Sequence, residues 1–175
     1  GVKFSRPGMS LMMEGSVRAT DDKLRTGDSI TFDFGACYRG YCSDFGRTAY
    51  LGEPPEELLK TYDILIKAQT AAIEAMVSGT VTAKQLDRVA RDIIEDAGYG
   101  RGFTHRLGHG IGVTVHEPPF LYEPDDTLLT SNMAMTIEPS IIVPDSHGCR
   151  IEDVVVVTEN GGLSLNNFHK EIVAI

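Results

Sequence analysis

The sequence predicts an α+β domain in which two β-hairpins are covered by a pair of helices. Residues 28–52 and 132–162 alternate apolar with small or polar residues around polar turns, which is typical of hairpins. Between them, residues 54–98 carry apolar side chains at helical spacing. With 175 residues, the chain is long enough for one well-filled core and too short for two ordinary domains. We therefore expect one domain, 1–175.

Local signals set the expected order of the elements. The first hairpin has its turn at Tyr38, Arg39 and Gly40. A long helix then begins at Pro54 and Pro55 and stops before Gly79, and a second runs from a Thr82–Gln85 capping box to Gly98. Residues 99–120 are rich in Gly and His and indicate loop and short strand. The second hairpin follows, with its strands bounded by Pro144 and by the turn at 160–162.

Composition argues against several classes of partner. The net charge is −9 without a basic stretch, which argues against nucleic-acid binding. No apolar run approaches the roughly 20 residues that span a bilayer, so no membrane partner is expected. Cys37, Cys42 and Cys149 lack zinc-ribbon spacing and suit free thiols in a reducing compartment, which predicts a cytoplasmic protein. None of the three is assigned a role.

Each hairpin offers two carboxylates that are set among apolar residues. Asp33 and Asp44 lie in the first hairpin, one on each strand, and Glu138 and Glu152 are placed in the same way in the second. Four converging carboxylates would repel one another and lose hydration, whereas one or two divalent cations between them make the cluster favourable. The pattern therefore predicts a metal centre.

His109 is the best candidate for a nitrogen ligand. It lies between Gly108 and Gly110, which would let a loop bring the imidazole close to the cluster. An oxygen-rich site with a single imidazole suits harder ions such as manganese. Taken singly, an Asp in a hairpin or a lone His is more often structural, so the prediction depends on the combination.

Five motifs in order, FDFGA, YCSDFGRT, RLGHGIG with a following VHE, TIEPS and RIED, resemble the pita-bread metallopeptidases. This family includes methionine aminopeptidase, aminopeptidase P, prolidase and creatinase. The resemblance covers the chain from about Gly27 onward. It implies a pita-bread fold and a dinuclear hydrolase of the Xaa-Pro peptidase type, which cleaves an amide bond of a small peptide through a metal-bridged hydroxide.

Carried over position by position, the resemblance implies a ligand set for two divalent ions. Asp33 and Asp44 would bind one ion, with Asp44 bridging both. His109 and Glu138 would bind the second, and Glu152 would also bridge. Manganese is the favoured ion, with cobalt, zinc and iron as alternatives.

The resemblance also implies catalytic roles. Glu138 would take the proton of the nucleophile, while His105 and His116 would contact substrate and stabilise the tetrahedral intermediate. Arg150 would hold Asp33 through a charge-assisted hydrogen bond. The alternative for both histidines is an ordinary place in a loop, and for Arg150 a charge at the rim of the hairpin.

One departure from the family concerns the substrate side. Family peptidases carry a histidine about eleven residues before the position of Gly27, and this chain has Ser16 there. That difference leaves two alternatives open: a creatinase-like hydrolase or metal-dependent lyase acting on a small osmolyte, and a non-catalytic binding module. The chain also starts without Met and without the first helices and N-terminal domain of such relatives, so we expect a fragment of a longer protein that forms a homodimer.

Overall fold

The computed structural model describes residues 2–5, 21 and 23–175. β1 (Val2–Ser5) pairs with β2 (Ser29–Phe34). The first hairpin is confirmed: its long strands are β2 and β5 (Phe45–Tyr50), and the short strands β3 (Cys37–Tyr38) and β4 (Tyr41–Cys42) form its tip. Arg39 and Gly40 form its turn, both with positive φ, 53° and 88°. Two such residues in a two-residue loop match the twist of the flanking strands, which explains the tight reversal.

Both predicted helices are present as α1 (Glu56–Ala75) and α2 (Ala83–Asp96). The predicted capping box is confirmed, because the Gln85 amide N–H donates to the Thr82 hydroxyl at 3.3 Å and the Thr82 N–H donates to the Gln85 side chain at 2.9 Å. Beyond α2, Gly98 takes a φ of 88° and turns the chain away. Neither helix of the described chain is long and apolar enough to cross a membrane.

The remaining strands follow α2 and a single 3-10 turn, Gly100–Gly102. They are β6 (Gly108–Gly110), β7 (Glu117–Leu121), β8 (Ala134–Ile137), β9 (Ser140–Val143), β10 (His147–Arg150), β11 (Asp153–Thr158), β12 (Gly161–Ser164) and β13 (Val173–Ala174). One sheet has the order β12-β11-β8-β6-β7, and another has the order β1-β2-β5-β13. The predicted mixture of loop and short strand over residues 99–120 is confirmed.

The second hairpin consists of two separate ladders with an interruption between them. β8 pairs with β11, and β9 pairs with β10, with Glu138 and Pro139 separating the segments on one strand. Proline has no N–H to give to the ladder, so regular pairing stops there. Glu138 and Glu152 therefore lie at the interruption between strands, where the sequence had placed them within strands.

The helix pair packs on the sheet that contains β8 and β11, as predicted, and encloses the core. The core consists of fully buried aliphatic side chains from both layers: Leu58, Leu65, Leu86, Ile94, Leu107, Leu121, Leu129, Met135, Ile137, Ile141 and Val155. Along β8, Met135 and Ile137 face this core, so Thr136 and Glu138 face the opposite side by strand alternation. The acidic residues are thereby placed away from the helices.

Candidate metal centre

A cavity of about 790 Å³ contains the side chains predicted from the sequence. All eight predicted site residues line it: Asp33, Asp44, His105, His109, His116, Glu138, Arg150 and Glu152. They come from both hairpins, from β6 and from the segments beside it. The structure thus brings the whole predicted set together, and Ser16, where the family histidine would lie, is outside the described residues.

The first hairpin contributes two carboxylates from neighbouring strands. Asp33 lies on β2 opposite Gly46 of β5. Asp44 is buried immediately before β5, and its Oδ1 accepts a hydrogen bond from the Phe45 N–H at 3.1 Å. Asp44 therefore lies just outside the strand in which the sequence placed it, and its carboxylate lies near Glu152 of the second hairpin.

A backbone bridge joins the two hairpins at the centre of the site. The Glu152 N–H donates to the Gly46 carbonyl at 3.0 Å, and the Gly46 N–H donates to the Glu152 carbonyl at 3.3 Å. A Cβ at position 46 would lie 2.6 Å from Glu152 Oε2, so only glycine permits this approach. The bridge brings Asp44 and Glu152 together, and one ligand atom from each lies within 4.8 Å of the other and of His109.

His109 was predicted to reach the cluster from a loop, and it lies instead on β6, inside the sheet. A Cβ at Gly108 would lie 1.9 Å from the Thr136 carbonyl oxygen, so glycine is needed for this close packing. His109 Nδ1 donates to the Gly110 carbonyl at 3.0 Å, which leaves the Nε2 lone pair for a ligand. Nε2 lies 3.3 Å from Glu138 Oε1 and 3.8 Å from Asp44 Oδ2.

Arg150 connects three of the predicted residues. One guanidinium nitrogen donates to Asp33 Oδ2 at 2.9 Å and lies 3.4 Å from Glu138 Oε2. The other terminal nitrogen lies 3.4 Å from His105 Nε2. The hydrogen bond expected between Arg150 and Asp33 is thus present, and the guanidinium holds one carboxylate from each hairpin.

The two further histidines have different surroundings. His105 Nδ1 donates to the Arg106 carbonyl at 2.7 Å, so Nε2 accepts from the Ser140 hydroxyl. Burial, and then the charge of Arg150, lowers the pKa of His105 to about 4, so the ring is neutral at pH 7. His116 is exposed in the cavity, with its ring centroid 4.3 Å from that of His109. Partial burial and then His109 lower its pKa.

The carboxylates repel one another. Burial, then Glu138 and Asp44, raise the pKa of Glu152 well above its usual value, and burial, then Asp33 and Glu138, raise that of Asp44. Burial also acts to raise the pKa of Glu138, but His109 and Arg150 outweigh it and hold that pKa at about 2. Glu152 is 1% exposed, and its Oε2 has no hydrogen-bond partner among the described residues. A cation could satisfy this buried oxygen.

Arg47 was not predicted from the sequence as a site residue, although its hydrogen bonds hold the backbone next to the metal ligands. Its guanidinium donates to the carbonyls of Gly46 and Glu152, both at 2.7 Å, and to Asp153 Oδ1 at 2.8 Å. The two remaining donors reach the carbonyls of His169 and Phe168 at 3.0 and 3.3 Å. The sequence feature that could have indicated Arg47 is a charged residue within the apolar strand FGRTAY.

The fold and the acidic cavity define an α+β domain with a candidate metal centre. Residues 10–159 match metallopeptidase family M24, and the chain belongs to this family. An X-Pro aminopeptidase structure from Thermotoga maritima superposes with a TM-score of 0.88 at 40% identity, covering 94% of this chain and 45% of that chain. The predicted pita-bread fold is confirmed.

Two sequence relatives are also similar. A probable dipeptidase PepE from Mycobacterium tuberculosis is 45% identical over 157 residues, covering 89% of this chain and 42% of that protein. The Xaa-Pro dipeptidase of Pyrococcus furiosus is 44% identical over 155 residues, covering 89% and 44%. This chain spans less than half the length of each relative.

Proposed function

We propose that the protein is a dinuclear metallopeptidase of the Xaa-Pro dipeptidase type that cleaves an amide bond of a small peptide. The observation that carries the proposal is the convergence of ligand atoms of Asp44, His109 and Glu152 within 4.8 Å, in a chain 44% identical to an Xaa-Pro dipeptidase. A cavity of about 790 Å³ lies within the range that encloses small ligands. These features support peptide hydrolysis more than osmolyte chemistry or a purely binding role.

The donor set fits two divalent ions. Asp33 and Asp44 would hold one ion, His109 and Glu138 the other, and Asp44 and Glu152 would bridge. The buried Glu152 oxygen without a partner is what such a bridge would satisfy. Four carboxylates with one imidazole suit manganese, with cobalt, zinc and iron as alternatives. The ions would polarise the scissile carbonyl and make water acidic enough to attack at neutral pH.

The chain's own residues would orient the substrate and move protons. Glu138 is ionised at pH 7, since its pKa is about 2, and it can accept a proton inside the cavity. His116 is exposed to the cavity and would contact the substrate. His105 is held neutral beside Arg150, and its Nε2 could exchange the Ser140 hydroxyl for a group on the substrate. Arg150 would keep Asp33 oriented toward the metal.

We also propose a cytoplasmic location and a homodimer of the complete protein. The three cysteines are free thiols in the structure, which suits a reducing compartment. Sedimentation of the complete protein would measure the oligomeric state directly.

Metal analysis and peptide assays test the proposed function together. We expect the purified protein to bind about two divalent ions per chain and to hydrolyse Xaa-Pro dipeptides or tripeptides when manganese is added. Asp44→Ala and Glu152→Ala should each remove both metal and activity, because the two carboxylates would hold both ions. Asp126→Ala, an exposed acid outside the cavity, is the matched control and should change neither.

Two results would contradict the proposal in different ways. Unchanged metal stoichiometry in the Asp44 and Glu152 variants would refute the assignment of the site. Metal binding as expected, with turnover of small osmolytes and none of peptides, would keep the site and reject the peptidase.

A further inference from the structure

Two cysteines face each other across the tip of the first hairpin, on the wall of the cavity. Cys37 on β3 is directly opposite Cys42 on β4, and both line the cavity that holds the metal ligands. Cys37 is exposed and Cys42 is half-buried. The proposed peptidase chemistry uses neither thiol.

The hydrogen bonds around the tip show which kind of cross-strand pair this is. The Cys42 N–H points out of the hairpin and donates to the Gly112 carbonyl at 2.7 Å. One residue further, the Ser43 N–H returns to the hairpin and donates to the Ala36 carbonyl at 2.8 Å. Cys37 and Cys42 are therefore a non-hydrogen-bonded pair, the type in which opposing side chains lie closer together.

This pairing has the geometry that a disulfide needs. Opposed Cα atoms in such pairs are about 4.5 Å apart, inside the roughly 4.4–6.8 Å that disulfides span. The tight turn at Arg39 and Gly40 fixes the register, so the thiols cannot slip apart along the strands.

We propose that Cys37 and Cys42 form a reversible disulfide with small-molecule disulfides, which makes the rim of the cavity a redox-sensitive modification site. The exposed Cys37 thiolate attacks one sulfur of oxidised glutathione and releases one reduced glutathione. The Cys42 thiolate then attacks Cys37 of the mixed disulfide and releases the second. Both cysteine sulfurs are oxidised, glutathione disulfide is reduced, and the two thiol protons pass to the glutathione released.

The disulfide would act on substrate binding and not on the metal ligands. The Cys42 N–H holds Gly112, at the start of the loop that leads to His116. Oxidation removes the thiol contact of Cys42 with the Val113 carbonyl, a weak one at 3.8 Å. A changed KM for peptides, which rests on the proposed function, is therefore expected, while metal content stays the same.

Mass spectrometry tests the disulfide without reference to activity. The purified protein is incubated in glutathione buffers of increasing oxidation, free thiols are alkylated, and peptides are mapped. We expect a Cys37–Cys42 disulfide, with the loss of both thiols, that is reversed by reduced glutathione. Cys37→Ser and Cys42→Ser should each instead retain one glutathione on the remaining cysteine. Cys149→Ser, which removes the buried thiol, should behave as the wild type.

Several outcomes would overturn the inference. If the wild type keeps a stable glutathione adduct on Cys37, or if neither thiol reacts at any ratio of oxidised to reduced glutathione, the pair does not form a disulfide. If the disulfide forms but the KM of the oxidised wild type equals that of the reduced wild type, the expected effect on substrate binding is refuted. A protein without peptidase activity that forms the disulfide refutes the proposed function and leaves the redox site supported.

Discussion

Glu152→Gln replaces the carboxyl group in the most buried part of the carboxylate cluster with a neutral amide and preserves the shape of the side chain. In the metal-free protein one oxygen of this carboxylate has no hydrogen-bond partner in the described part of the chain, and the carboxylate lies beside Asp44. We therefore expect the substitution to raise the stability of the metal-free protein and to abolish its response to metal. The substitution is therefore expected to increase stability without metal and to remove the stabilisation by metal, and a general loss of stability would not produce this combination.

The distance between the two carboxylates sets the size of the effect. Their ligand oxygens lie within 4.8 Å of each other. At an effective dielectric constant of about 20, two unit charges at this distance repel by about 3.5 kcal/mol. Part of this is relieved in the wild type by protonation, so we expect a gain of about 1–3 kcal/mol. For a chain of this size, each kcal/mol corresponds to roughly 2–4 °C in Tm.

Thermal unfolding in a chelator, followed by titration with manganese, measures both effects. The wild type should begin at a lower Tm and rise with metal, because the ion binds only the folded state. Glu152→Gln should begin higher and stay there. Glu53→Gln, which alters an exposed acid, is the control and should follow the wild type. A lower metal-free Tm for Glu152→Gln would show that this carboxylate stabilises the fold, and the repulsion between it and Asp44 would be refuted.

Two further substitutions test buried polar side chains outside the ligand set. Arg47→Met removes the 2.8 Å ion pair of buried Asp153, which keeps Lys170 at 3.5 Å as an ion-pair partner, and removes a hydrogen bond to the Glu152 carbonyl. We therefore expect a loss of about 2–4 kcal/mol in urea unfolding; a loss below about 1 kcal/mol would contradict this. Burial lowers the pKa of His147, which donates to the Thr61 hydroxyl at 3.1 Å. The unfolded chain therefore takes up this proton first, and stability present above pH 6.5 is lost as the pH falls below it. His147→Gln should show a smaller loss between about pH 7.5 and 5.5, and an equal loss would refute the role of His147.

The elements that the sequence predicted correctly depend on neighbours along the chain. The Thr82–Gln85 capping box and the turn at Arg39 and Gly40 involve residues within three positions of each other. Their backbone preferences are set by local sterics and hydrogen bonding, which the sequence displays directly. The helix pair and the first hairpin could therefore be predicted without knowing the tertiary fold.

The candidate site was predictable as a set of residues and much less so as a geometry. Asp33 and Asp44 could be placed on one hairpin from spacing, but the bridge from Gly46 to Glu152 joins segments more than a hundred residues apart. The same holds for Arg47, whose hydrogen bond to the Glu152 carbonyl spans 105 positions. Such contacts depend on how the two hairpins pack against each other, and no local sequence pattern indicates that packing.

Positioning of the acids and their mutual repulsion have the same structural origin. The interruption of the second hairpin turns Glu138 and Glu152 toward the first, and Gly46 allows the backbones to touch. Arg47 then donates to the Glu152 carbonyl, which limits how far the backbone that carries this carboxylate can move away from the first hairpin. Rigid placement of like charges lowers the stability of the metal-free protein, and it also makes cation binding favourable, since an ion gains from each carboxylate without reorganising the chain. A substitution that stabilises the fold at this point should therefore weaken the metal centre.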